Sequence, residues 1–178
     1  MLVHGAAMQL LEINGKKPFV HQSCYIAPDV FLIGDVRLRE NVSVWFGSLL
    51  RADTDSIEIN ENSSIQDNVI IKPDSSAAFI GKRVTVGKGA IIEGVFIGDD
   101  VIIGMGSIIL ENTKIGSGSF VAAGSMLPQN TVVPEGSLVI GNPAKIVGKV
   151  TPNHQKQIEE SWRKYFIMRS KYKSVTKV

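Results

Sequence analysis

At 178 residues, with 44% hydrophobic and 20% charged, the chain is long enough for one domain with a sizeable core. Its net charge of +2 gives no strong pull toward nucleic acid, and no apolar run approaches the ~20 residues that a membrane helix needs. The single cysteine, Cys24, cannot close an internal disulfide, which excludes a disulfide-stapled secreted scaffold and leads us to expect a reducing, cytoplasmic setting.

The residues ahead of Met8 are too short and too weakly charged for a secretion signal, so they are read as an extension outside the fold. Residues 1–18 are expected to hold this extension and a capping strand that turns at Asn14-Gly15. Aliphatic residues then recur at every sixth place, beginning with Ile26, Leu32, Leu38, Val44 and Leu50. The series is interrupted at Arg51-x-Asp53-x-Asp55, resumes at Ile59, Ile65 and Ile71, and breaks again at residues 73–78. It continues through Ile80, Val86 and Ile92, loses one residue near Val95, and runs unbroken through Ile97, Ile103, Ile109, Ile115, Val121, Leu127, Val133 and Val139.

Neither a helix, with period 3.6, nor an alternating strand, with period 2, gives a pure period of six. A short strand plus a tight turn does so if one aliphatic per unit points to a shared axis. Three such units make one coil of a triangular β-solenoid. Small or β-branched residues hold the fifth place of each unit (Val101, Ser107, Thr113, Ser119), and Gly98, Gly104 and Gly116 directly follow ladder residues. At ~18 residues per coil and ~4.8 Å between coils, the nineteen ladder positions imply roughly six or seven coils and a solenoid about 30 Å long. The stack ends at Gly141-Asn142-Pro143, giving a solenoid over residues 19–148.

Residues 149–178 are expected to form a helix and tail. Thr151 is placed as N-cap and Pro152 at the first helical position, with Ile158, Trp162, Tyr165 or Phe166, and Arg169 or Tyr172 following at helical spacing. Such a stripe is too apolar for water and should pack on a face of the prism or on a neighbouring subunit. Six of the 19 basic residues fall in the last 16 positions and read as a solvated helix face or tail.

Several motifs then take on a collective meaning. Arg51-x-Asp53, Gln66-Asp67, Val86-Gly87-Lys88-Gly89-Ala90, Ile103-Gly104-Met105-Gly106-Ser107 and Gly141-x-Pro143-Ala144-Lys145 occur in that order around the ladder. Over roughly residues 15–173 the chain resembles the gamma-class carbonic anhydrases, within the wider hexapeptide-repeat superfamily. The resemblance implies an all-β solenoid, a left-handed parallel β-helix of hexapeptide repeats with a C-terminal α-helix, assembled as a homotrimer. It also implies a zinc or other divalent ion held by three histidines at a subunit interface.

Those three positions carry Lys72, Lys88 and Glu93 here, and the only histidines are His4, His21 and His154, none inside the repeat body. Zinc requires nitrogen, sulfur or carboxylate donors at about 2.0–2.3 Å, whereas a protonated lysine has no lone pair to offer. No bound catalytic metal is therefore expected, and metal-hydroxide attack on carbon dioxide loses its basis. Thr54 also stands where the family has a glutamate suited to proton shuttling. Lys72 and Glu93 each follow a ladder aliphatic and lie 21 residues apart, one coil plus the short insertion, so they should face the same way on adjacent coils. By the resemblance Lys88 would come from the adjacent subunit, and a Lys72–Glu93–Lys88 ion-pair cluster is one candidate successor to the metal. Three separately solvated charges are the other. Arg51 and Asp53 would join subunits, while Gln66 and Asp67 would line the pocket or serve as ordinary polar coil residues.

Three functions follow. The first is a metal-free, gamma-carbonic-anhydrase-like trimer acting as a scaffold or binding a small molecule at its subunit interface. The second is a metalloenzyme with unorthodox ligands. The third is a hexapeptide acyltransferase with an acyl-CoA donor, whose usual histidine base has no counterpart in the repeat body.

Overall fold

The computed structural model describes residues 9–173. His4 and the extension ahead of Met8 lie outside these residues, as does the end of the basic tail, including Lys177. The chain winds as a left-handed parallel β-helix of about seven coils with a single C-terminal helix, and the expected fold class is what is found.

Eighteen of the nineteen ladder residues are buried, and the exception, Ile26 in the first coil, is half-buried. Equivalent aliphatics stack coil upon coil: Ile71 pairs with Ile92 and Ile92 with Ile109, while Val86 pairs with Ile103 and Ile103 with Val121. The fifth-place residues lie inside as well, where only small side chains fit, and their hydroxyls satisfy corner carbonyls. Ser48 donates to the Gln66 carbonyl and Ser63 to that of Gly81, both at 2.7 Å.

Corners require left-handed backbone, which disfavours most side chains but is tolerated by asparagine and glycine. One corner carries Asn41, Asn62, Arg83 and Asp100 in this conformation, followed by Gly118 and Gly136. Asn41 donates to Asn62 at 3.2 Å, and Arg83 is held by Asp100 through two hydrogen bonds of 2.6 Å. Glycine after a ladder residue has a different cause. A Cβ at Gly104 would collide with the backbone of Ala122 and Ala123 on the next coil.

Two features differ from the sequence expectation. Arg51-x-Asp53-x-Asp55 interrupts the six-residue count without interrupting the strand. Leu49–Ile59 is one eleven-residue strand that turns a prism corner, pairing first with Ile70–Ile71 and then with Ala78–Ile80. Its partner Phe31–Leu38 follows it around the corner, with a register shift between Gly34 and Val36 that absorbs the extra residues. The stack also ends in a hairpin: after the turn at Asn142-Pro143, Ala144–Lys149 returns antiparallel along Ser137–Gly141.

Gln9–Leu11 lies across the first coil beside Phe31–Ile33, followed by the Asn14-Gly15 turn. The helix Pro152–Tyr172 starts as expected, with the Thr151 hydroxyl accepting from the His154 amide and the His154 ring accepting from the Thr151 amide. It covers one prism face, burying Ile158, Tyr165 and Arg169, while Phe166 remains partly exposed. Tyr165 and Tyr172 pack on Trp45, with ring centroids 5.2 and 5.1 Å away, and Trp45 packs on Tyr25 at 5.0 Å. Among the described residues no helix is long and apolar enough to cross a membrane.

Because Ile103 is fully buried between Val86 and Val121, Ile103→Ala leaves a void that no neighbour can fill without breaking register. We expect a loss of about 3 kcal/mol, read as a lowered denaturant midpoint with the far-ultraviolet spectrum unchanged.

Candidate functional site

The residues singled out by the sequence separate into two neighbourhoods. On the strand Leu49–Ile59, Arg51 and Asp53 are two residues apart and share a face, where Arg51 Nε meets Asp53 Oδ2 at 2.6 Å. The other oxygen, Asp53 Oδ1, is buried and has no hydrogen-bond partner among the described residues. Thr54 donates to the carbonyl of Pro73 at 3.1 Å, tying this strand to the loop that follows Lys72.

Lys72 and Glu93 follow the paired residues Ile71 and Ile92, on adjacent coils in register. Their side chains do not pair with each other. Lys72 Nζ donates to Asp74 Oδ1 within its own loop, and Glu93 Oε2 accepts from the Glu111 amide at 2.8 Å. Lys88 stands in the turn before Ile91–Ile92, at the other end of that face, and its ammonium donates to the Tyr165 hydroxyl at 3.3 Å, beneath the C-terminal helix. Within one chain the Lys72–Glu93–Lys88 cluster is therefore not assembled. Gln66 is buried, its carbonyl taken by Ser48, and Asp67 is half-buried, its carbonyl accepting from Gly89 at 2.9 Å.

Glu111 is the residue that the sequence reading missed. It lies 18 residues beyond Glu93, one coil up, and this spacing was the only available signal. Its side chain is buried and braces the loop at residues 73–77. Oε1 accepts from the amides of Asp74 and Ser75 at 2.8 and 3.3 Å, and Oε2 accepts from the hydroxyls of Ser75 and Ser76 at 3.2 and 2.7 Å. Burial on its own would raise the Glu111 pKa. Hydrogen bonds from the Ser76 hydroxyl and the amides of Asp74, Ser75 and Gly94 outweigh that, holding it at about 2. Glycine is obligatory at 94, because a Cβ there would strike Ser76 and the Glu111 carboxylate.

The donor set at the three family positions does not fit a divalent cation. Two are ammonium groups, both already donating hydrogen bonds, and the third is a carboxylate with one oxygen committed to a backbone amide. Among the described residues no group of three or more histidine, cysteine, aspartate or glutamate side chains is placed to hold a metal.

The class of protein is settled by comparison with known sequences and structures. The family described as bacterial transferase hexapeptide (six repeats) matches residues 94–129. Among solved structures, a putative acetyltransferase of Bacillus cereus superposes with a TM-score of 0.92 at 33% identity, covering 96% of this chain and 99% of that one. A hexapeptide transferase family protein of Anaplasma phagocytophilum gives a TM-score of 0.89 at 34% identity, covering 92% and 98%.

The particular branch follows from the curated relatives. The chain is 39% identical over 163 residues to a carbonic anhydrase of Geobacillus kaustophilus, covering 91% of this chain and 90% of that protein. It is 36% identical over 163 residues to gamma carbonic anhydrase 2, mitochondrial, of Arabidopsis thaliana, covering 88% of this chain but only 59% of the relative's length. This protein belongs to the gamma carbonic anhydrase-like family of hexapeptide-repeat proteins.

The Glu111 brace sets a pH prediction. A carboxyl that titrates near 4.5 when free and near 2 when folded stabilises the fold fully above about pH 4.5, and that stabilisation is lost as pH falls toward 2. Glu111→Gln should cost about 1–3 kcal/mol at neutral pH. In a melting-temperature series from pH 7 to pH 2, the variant's deficit should shrink through the acid limb.

Proposed function

We propose that this chain is a gamma-carbonic-anhydrase-like homotrimer without the metal centre, serving as a scaffold or a binder of small ligands rather than hydrating carbon dioxide. The observation that carries this reading is the donor set at Lys72, Lys88 and Glu93, which offers two cations where a Lewis acid would have to sit. Without a metal to lower the pKa of a bound water, no group in this neighbourhood generates hydroxide at neutral pH. Thr54, committed to the Pro73 carbonyl, offers no proton-transfer group in its place.

Assembly is supported by an outward stripe along one prism face. Phe31, Leu49, Ile70, Ile91, Ile108 and Met126 stand in continuous register over six coils, with Phe31, Ile70 and Ile91 about 40% exposed in the single chain (41%, 38% and 42%). A patch of this length is an interface in waiting. Lys72 and Glu93 flank it on one side and Lys88 on the other, so Lys88 of an adjacent subunit is a reasonable partner for the Glu93 oxygen not taken by Glu111. Such a cluster would specify the assembly more than stabilise it, because desolvation offsets the attraction. A cytoplasmic setting stays part of the proposal, resting on the lone thiol of Cys24.

The names of the solved relatives favour acyl transfer as a second reading, but the histidines are placed poorly for it. His21 contacts Ser23 and Glu40 before the first coils, and His154 caps the C-terminal helix.

Elemental analysis of the purified protein, after expression with zinc, iron and cobalt supplied, is expected to find only trace metal, and stopped-flow assays no carbon dioxide hydration above buffer. Stoichiometric metal that survives dialysis would refute the reading. The triple variant Lys72→His, Lys88→His, Glu93→His should then bind zinc, as the same analysis would report. Separately, Ile91→Glu should convert a trimer to monomers in light-scattering chromatography while keeping the strand spectrum, because the side chain points away from the ladder.

A further inference from the structure

The loop held by Glu111 also builds a wall. Between it and the next prism face lies a groove of about 270 Å³ that plays no part in the reading above. Its apolar side is a pair of parallel stacked rings, Phe79 and Phe96, with centroids 5.2 Å apart and planes within 5°. Phe96 is about half exposed (49%), an uncommon amount of open aromatic surface for a residue in the middle of a strand. The loop supplies Ser76 on the opposite side, and Asn112 sits at the corner between them.

The remaining wall is Lys114. Strand register places it directly beside Phe96, on the next coil. It is exposed and has no carboxylate partner among the described residues, in contrast to Lys16, Lys72, Lys82 and Lys156, each of which has one. Thus the groove joins an aromatic face, an ammonium with no carboxylate partner among the described residues, and the Asn112 amide able to donate hydrogen bonds.

From this arrangement we propose that the groove binds a small aromatic carboxylate, its ring on Phe96 and its carboxylate on Lys114, with the Asn112 side-chain amide as the second donor. Three considerations select that class. A ring gains offset-stacking contact on the Phe79–Phe96 pair that a plain aliphatic does not. The only charged side chain lining the groove is the Lys114 ammonium, the Glu111 carboxylate being buried behind the loop and taken up by its hydrogen-bond donors, so an anion gains and a cation loses. The volume suits a fragment of about ten heavy atoms. The groove is built from one chain, so this inference depends neither on the trimer nor on the state of the metal positions.

The test is calorimetric titration of the full-length protein with sodium benzoate at neutral pH. Saturable binding of one benzoate per subunit is expected, with a Kd of about 1 mM or tighter, a reasonable efficiency for nine heavy atoms. Benzyl alcohol, which keeps the ring and drops the charge, should bind at least about tenfold more weakly. Lys114→Glu and Phe96→Ala should each weaken benzoate by a similar factor. Lys114 points outward, so the Lys114→Glu melting curve should match the wild type, Phe96→Ala should melt only slightly lower through loss of its stacking on Phe79, and Lys72→Ala should leave binding unchanged. Absence of saturable heat at about ten times that Kd would overturn the proposal, as would equal binding by Lys114→Glu. Loss of binding in Lys72→Ala with retention in Lys114→Glu would overturn it too, by moving the anion to the loop at residues 73–77.

Discussion

Everything in this molecule follows from one constraint: each sixth residue must place an aliphatic side chain on a common axis. Burial of this ladder is the main source of folding free energy, because a single coil cannot bury its own hydrophobic face and gains it only by stacking. The corner backbone must then be left-handed, so asparagine and glycine collect there. Positions just after a ladder residue press against the next coil, so they collect glycine as well. Extra residues can enter only at corners, and the insertion at residues 73–77 does so without displacing Ile71 or Ile80 from the core. Chemistry is left to side chains that point outward or stand at corners, and Lys72, Lys88, Glu93 and Lys114 are all of that kind.

This division explains what was legible in the sequence. A side chain on the axis must be aliphatic in every coil, so the ladder could be counted directly, and the helix start was equally plain from Thr151-Pro152. The corner-turning strand Leu49–Ile59 was not legible, because Arg51, Asp53 and Asp55 look like a loop to any pattern based on polarity. Its extended backbone is imposed by the neighbouring strands, a tertiary effect that local composition does not record. The terminal hairpin was hidden for a similar reason. Residues 144–149 are mostly exposed, so burial left no alternation to read.

Glu111 shows the limit more sharply. A glutamate beside a run of aliphatics reads as a solvated corner residue, and only three-dimensional placement shows four donors converging on it. Those donors come from residues 74–76, more than thirty positions earlier in the chain. The same holds for positions 72, 88 and 93. The lysines and glutamate there stood out from the motifs, but what they do was not legible. Each has been drawn into intramolecular work: Lys72 with Asp74, Glu93 with the Glu111 amide, and Lys88 with Tyr165.

Those contacts bear on how the fold accommodates charged side chains at these positions. Two lysines and a glutamate carry a net charge of +1 where three neutral imidazoles would carry none, and burying it uncompensated would be costly. The insertion supplies Asp74, which brings the sum to zero, and Glu111 fixes the insertion in the conformation where Asp74 meets Lys72. A metal ties together the segments that provide its ligands. Here the Glu93–Glu111 relay ties the corner to the loop with hydrogen bonds alone, and the apolar stripe from Phe31 to Met126 offers the area for association. Stability in a solenoid is a sum over neighbouring coils, so residues at the periphery can change while the ladder is untouched. Repeat pattern and overall likeness therefore identify the family with ease and carry little information about catalysis, which has to be read from the few corner residues.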